Sequence, residues 1–277
     1  MNTRRASSPL VAFAALLASC GAEVLPTTGS VRVETIHSAI VGDDYILRIR
    51  LPPGYEGDPA RRYPLVVQLD PTFNGLREFE ITCGFVSSHA AAGEWPEAIV
   101  VGPDYDDPNK RLRDYVLPDP LDPAFGGANV DAFYRAMRDE ILPYVESHYR
   151  VDATRRVIVG HSAGATFVWY STFRHAPPEP PLFAGAVAAD DGIEEGFFTY
   201  ERWHAERTNA LPVRLFATRA IFNGATQGIP FRALVDRIRA RNYAGLEFED
   251  RTFDTDHFGA IRPSFEQGLG FALRGAP

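Results

Sequence analysis

Ser162 lies in Gly160-His161-Ser162-Ala163-Gly164, directly after the aliphatic run Val157-Ile158-Val159. A serine hydroxyl does not lose its proton unaided at neutral pH, so its use as a nucleophile requires a neighbouring base. Composition alone would supply such a GxSxG pattern in roughly one chain in ten of this length, so its context has to carry the argument. A β-branched strand leads in and a helix-compatible segment leads out, the strand, sharp turn and helix of a nucleophile elbow. The two glycines have a mechanical role there, because strand and helix approach so closely that a side chain two residues before or after the serine would collide. In hydrolases of this kind the base follows the last strand. His257, in FDTDHFGAIRP, holds that position. His148 and His175 fall among helical residues, and His204 falls in a polar segment expected at the surface. His161, next to Ser162, should project elsewhere by alternation and line or support the pocket.

These residues need elements to hold them. The segments SVRVETIH and DYILRIRL alternate apolar and polar residues, as antiparallel strands with one covered face do; Val31, Val33 and Thr35 mark that face in the first. YPLVVQLD and EAIVVGPDY are continuous apolar runs, the habit of parallel strands buried on both faces. Asn129 can cap a helix whose apolar positions Val130, Phe133, Met137, Ile141 and Val145 recur every three or four residues, and Pro143 should kink it late or begin a new turn. Strands in RRVIVG, FAGAVAA, VRLFAT and LEFEDRTF alternate with helices in AGATFVWYSTFR, FRALVDRIRARNY and SFEQGLGFALR. This order predicts an α/β fold with a mostly parallel central sheet and helices on both faces, in which the C-terminal strand ends carry the chemistry.

From about residue 45 to 262 the chain resembles the putative-esterase family of α/β hydrolases, which includes enterochelin-type siderophore esterases, esterase D and the mycolyl transferases. The matching phrases are LRIRLPPGY, YPLVVQLD, AIVVGPDY, RLRDY, the stretch from Gly126 through the elbow to Ala165, and the terminal DHFGAI. The resemblance implies the α/β-hydrolase fold, Ser162 as nucleophile and His257 as general base. It also implies an oxyanion hole made by the backbone N–H of Ala163 and a second donor from the turn after the third strand. The family usually has Leu-Asp-Gly in that turn, whereas this chain has Leu69-Asp70-Pro71-Thr72. Proline has no N–H, so Thr72 is expected to donate. The family's acid usually follows the strand corresponding to VRLFAT, yet no carboxylate occurs there before Asp236. Asp190, after FAGAVAA, is the first candidate, with Asp191 beside it. Asp254 and Asp256 on the histidine's own loop are alternatives, as is a Ser-His dyad steadied by a carbonyl or an amide such as Asn223. Arg111, Asp114, Tyr115, Asp104 and Tyr105 either brace the pocket or form a solvated loop.

The 277 residues carry a net charge of −8 with no basic block, which argues against a nucleic-acid partner. No CxxC pair occurs and the histidines lack ligand spacing, so neither a metal nor another cofactor is expected. Residues 1–20 have the basic start, apolar stretch and small residues of a signal peptide. Their end, Leu17-Ala18-Ser19-Cys20, resembles a bacterial lipobox, making Cys20 the expected site of lipidation. Residues 21–30 would form a tether and residues 31–277 a single α/β-hydrolase domain. The expected location is a bacterial envelope, as a membrane-anchored lipoprotein, or otherwise the periplasm or the exterior. Cys83 is then left without an intramolecular disulfide partner. The expected function is hydrolysis of a small carboxylic ester through an acyl-enzyme. The alternatives are an acyltransferase using the same residues and a non-catalytic surface lipoprotein that binds a ligand in a retired hydrolase pocket.

Overall fold

A computed structural model describes residues 29–75, 77–107, 109–118, 128–175, 178–191, 195–222 and 225–274. The signal segment, Cys20, most of the tether and Asn223 lie outside these residues. The strands are β1 (Val31–Ser38), β2 (Asp43–Arg50), β3 (Tyr63–Gln68), β4 (Ile99–Asp104), β5 (Val151–His161), β6 (Gly185–Ala189), β7 (Arg214–Ala220) and β8 (Glu247–Phe253). They form one eight-stranded sheet in the order β1-β2-β4-β3-β5-β6-β7-β8. Only the β1–β2 and β2–β4 pairings are antiparallel; every pairing from β4 to β8 is parallel.

The apolar runs are continuous because both faces are covered. Leu65, Val67, Ile158, Ala186, Ala188, Leu215 and Ala217 point into one core, whereas Val66, Val157, Val159, Val187, Ala189 and Phe216 point into the other. The second core is closed by helices α1 (Glu78–Ala91) and α8 (Ile261–Ala272). The first is closed by α3 (Val130–Ala136), α4 (Leu142–His148), α5 (Ala163–Arg174), α6 (Glu195–Ala205) and α7 (Ala225–Arg241). The short α2 (Lys110–Tyr115) buries Arg111, Asp114 and Tyr115. Among the described residues no helix is long and apolar enough to cross a membrane.

Several expectations are corrected. On β1 the covered residues are Ile36 and Ser38, while Val31 and Val33 are exposed. The inward parity of this edge strand is set by polar anchors: Glu34 accepts from Tyr144 and Tyr149, and Ser38 donates to Glu140. Asn129 caps its helix as expected, accepting from Ala132 N–H. Before Pro143 the helix widens into a π segment, Met137–Ile141, and Pro143 then lies in the first turn of α4, so it begins a new turn and does not kink the helix late. A proline ring crowds the carbonyl four residues earlier, and a π turn relieves that crowding. Helices α1, α2 and α6 have no counterpart in the sequence expectation. His204, expected at the surface, is fully buried on α6, with its ring nitrogens 3.1 Å from the carbonyls of His175 and Ala210.

Candidate active site

Ser162 occupies the turn between β5 and α5 with φ 56° and ψ −126°, a region that non-glycine residues seldom adopt. Its N–H donates to Ala189 C=O at 3.0 Å, and its own carbonyl accepts from Ala165 and Thr166. A Cβ on Gly160 would lie 2.4 Å from the Gly164 carbonyl carbon, so only glycine fits there. Gly164 is less constrained, since a Cβ there would meet nothing closer than Asp70 Oδ2 at 3.2 Å. Ala163 opens α5, so its N–H has no acceptor within the helix and points from the positive end of the helix dipole.

His257 and Asp190 are brought together across the sheet. Asp190 Oδ2 lies 2.7 Å from His257 Nδ1, which puts the imidazole proton on Nδ1 and leaves Nε2 as the basic nitrogen. Asp190 directly follows β6, in left-handed backbone with φ 47°. It leans over the neighbouring β7: its N–H donates to Thr218 C=O and its Oδ1 accepts from Ala220 N–H. An acid on β6 thereby reaches a position that the end of β7 would normally supply. Each of the other candidate acids stands in a different setting. Asp191 accepts from Thr166 Oγ1 at 3.0 Å; Asp254 and Asp256 are exposed, and Asp256 caps the Gly259 N–H.

The turn after β3 is held from beneath. Asp70, at φ 52° and buried, accepts from Arg111 Nε at 2.8 Å. Burial pushes its carboxyl up to about 7, and the Arg111 guanidinium pulls in the opposite direction. Thr72 Oγ1 donates to Asp104, which also accepts from Arg48 Nε at 2.7 Å. The Arg111 guanidinium stacks 4.2 Å above the Phe73 ring centroid, and Tyr45 OH donates to Asp114 at 2.7 Å. Arg111, Asp114, Tyr115 and Asp104 are all buried and do not form a solvated loop. Arg111, Asp104 and Tyr115 brace this turn directly, Asp114 stands behind it on Tyr45 and Arg113, and the half-buried Tyr105 packs its ring against Tyr115. The Thr72 N–H has no backbone acceptor among the described residues.

His161 is buried behind the site, with its ring centroid 4.3 Å from that of His257 and its Nε2 3.0 Å from His257 C=O. Burial holds its imidazole down to about 4. Among the described residues, His161, Asp190 and His257 are the group able to gather ligand atoms, all within 4.8 Å of one another. Their contacts already join them to each other, through His257 Nδ1 to Asp190 and through His161 Nε2 to the His257 carbonyl. Two further residues near the site carry little signal in the sequence. Asp70 is visible there only as part of a turn, and Glu78, fully buried on α1, has no distinguishing pattern in its own segment.

The model of the family described as "Putative esterase" matches residues 38–188, more than half of the chain. No curated protein matches the sequence. Among solved structures, an IroE-like serine hydrolase from Shewanella oneidensis superposes with a TM-score of 0.74 at 20% identity, covering 87% of this chain and 79% of that one. The BES protein from Bacillus cereus gives 0.73 at 18% identity, covering 99% of this chain and 100% of its own. Siderophore hydrolase EstB from Aspergillus nidulans gives 0.72 at 15% identity, with coverages of 90% and 98%. At these identities the structural likeness establishes the fold, and the family match adds the class of reaction: the chain belongs to the Putative esterase family and is an ester hydrolase on an α/β-hydrolase sheet.

Proposed function

We propose that the protein hydrolyses a carboxylic ester through an acyl-enzyme on Ser162. His257 Nε2 takes the Ser162 proton as Oγ attacks the ester carbonyl, and Asp190 holds the imidazole in the required tautomer. The N–H groups of Ala163 and Thr72 bind the oxyanion of the tetrahedral intermediate. Collapse of that intermediate expels the alcohol, which receives the proton from His257. A water then repeats the sequence, its proton passing to His257 while its oxygen releases the acid and restores Ser162.

The observation that carries this reading is the 2.7 Å contact between Asp190 and His257 at the strand edge where Ser162 sits in its strained turn. The test is labelling with a fluorophosphonate. The expected result is stoichiometric labelling of wild type and none of Ser162→Ala; a folded wild type that stays unlabelled overturns the mechanism. The substrate proposal is a small ester with an apolar portion. Phe258, beside His257 and 59% exposed, offers a ring to that portion. Because EstB is named a siderophore hydrolase, siderophore esters belong in the substrate panel beside aryl and alkyl esters. We further propose that Cys20 carries lipid and tethers the domain to a bacterial envelope membrane, on the strength of the Leu17-Ala18-Ser19-Cys20 sequence.

A further inference from the structure

We propose that Glu78 and His161 are positioning residues, linked in a buried chain of polar contacts that ties the loop carrying His257 to the strand end carrying the Thr72 turn. The proposal rests on His257 being the base of the reaction described above. The chain can be followed atom by atom. Thr82 Oγ1 donates to Gln68 Oε1, and Gln68 Nε2 donates both to Leu69 C=O at 2.8 Å and to Glu78 Oε2 at 3.1 Å. Glu78 Oε1 stands 3.4 Å from His161 Nδ1, the longest link, and His161 Nε2 reaches His257 C=O at 3.0 Å. Glu78, Gln68, Thr82 and His161 are all at most 1% exposed, so no bulk water competes for their donors and acceptors.

Donor and acceptor roles then fix the protonation. A backbone carbonyl only accepts, so His161 Nε2 carries hydrogen. In a neutral imidazole Nδ1 is then an acceptor, and Glu78 Oε1, 3.4 Å away, can serve it only by donating, which only the un-ionised acid can do. The opposite assignment, an ionised Glu78 beside a doubly protonated His161, would put two charges where both side chains are dry, at a large desolvation cost. The electrostatics agree: burial raises the Glu78 carboxyl well above the usual range and lowers His161 to about 4. The charged or titratable groups facing the pair are Arg111, His257 and Asp70 around Glu78, and His257, Asp190, Asp70 and Arg111 around His161. The chain is therefore a neutral strut from β3 through α1 and β5 to the loop after β8. It fixes the backbone of His257, whereas Asp190 fixes its ring.

The experiment compares wild type with Glu78→Gln, Glu78→Ala and His161→Ala for hydrolysis of a p-nitrophenyl ester across pH. Glutamine can donate to His161 and accept from Gln68, so Glu78→Gln should keep kcat within about threefold and leave the acid limb of kcat/KM in place. Glu78→Ala and His161→Ala should lose about ten- to a hundredfold in kcat with little change in KM, the scale expected when a reacting group is misplaced by about 1 Å. Infrared difference spectra should show a carboxylic-acid C=O band in wild type that Glu78→Gln lacks, a readout independent of activity and of whether the alanine variants fold. The proposal is overturned if Glu78→Gln is as impaired as Glu78→Ala, if its acid limb moves, if His161→Ala retains full kcat, or if the acid band is missing. Failure of the esterase mechanism itself would appear separately, as wild type that takes no fluorophosphonate.

Discussion

Replacing Asp190 by asparagine keeps the side-chain shape and a residue type that tolerates left-handed backbone, which the φ of 47° demands. It removes a charge-capable acceptor facing His257 Nδ1 and allows the wrong tautomer. We expect kcat to fall by about 10³- to 10⁴-fold with KM little changed and the fold intact, measured by steady-state kinetics and circular dichroism. The buried pair behind His257 also makes stability depend on pH, with opposite signs. His161 titrates at about 4 in the folded protein against 6.5 when exposed. The unfolded chain therefore binds the proton first, and the stability this group contributes is present above 6.5 and lost as pH falls toward 4. Glu78 is raised above its ordinary 4.5, so the folded chain holds a proton that the unfolded one releases, and stability declines as pH rises past 4.5. Thermal unfolding of Glu78→Gln against wild type should consequently favour the variant increasingly as pH rises from 4.5 to 7. At this scale the sequence exposed Ser162 and His257 through their neighbours. Glu78 could not be found that way, because an acid on a buried helix has no local pattern distinguishing it from a surface one.

The elbow is the element on which the site depends most. In Gly160→Ala the new methyl would meet backbone 2.4 Å away, and backbone cannot swing aside as a side-chain end can. We expect a loss on the order of 3 kcal/mol, a drop in Tm of roughly 6–12 °C, and loss of fluorophosphonate labelling. The elbow was legible because its β-branched run, glycines and helix are contiguous in sequence. Helices α1 and α6 were not, for a reason visible in α1. Glu78, Phe79, Thr82, Cys83, Gly84, Phe85, Val86 and Ser87 are all buried, so the apolar and polar residues share one environment and leave no amphipathic stripe to read. On β1 the alternation was legible but its sense was inverted. Period two is the same for either face, and the partners that choose the face, Glu140, Tyr144 and Tyr149, lie about a hundred residues away.

For the whole molecule, Cys20→Ala should move the protein from the membrane fraction to the soluble fraction and abolish metabolic labelling with palmitate, while leaving esterase turnover of the purified domain unchanged. Labelling that persists in the variant would remove Cys20 as the anchor. The parallel sheet with a core on each face was legible from sequence, since buried strands are written as continuous apolar runs separated by helical segments. The sequence by itself determined the elbow around Ser162, the place of His257 after the last strand, and the class of fold, because each depends on residues close together in the chain. Which acid faces His257, and which groups hold it from behind, was decided only by tertiary structure. The order β5-β6-β7-β8 lets Asp190 lean across β7 to a histidine 67 residues away, and the packing of α1 beneath the sheet brings Glu78 to His161. Short-range spacing cannot encode such contacts, because they arise where strands distant in sequence end side by side.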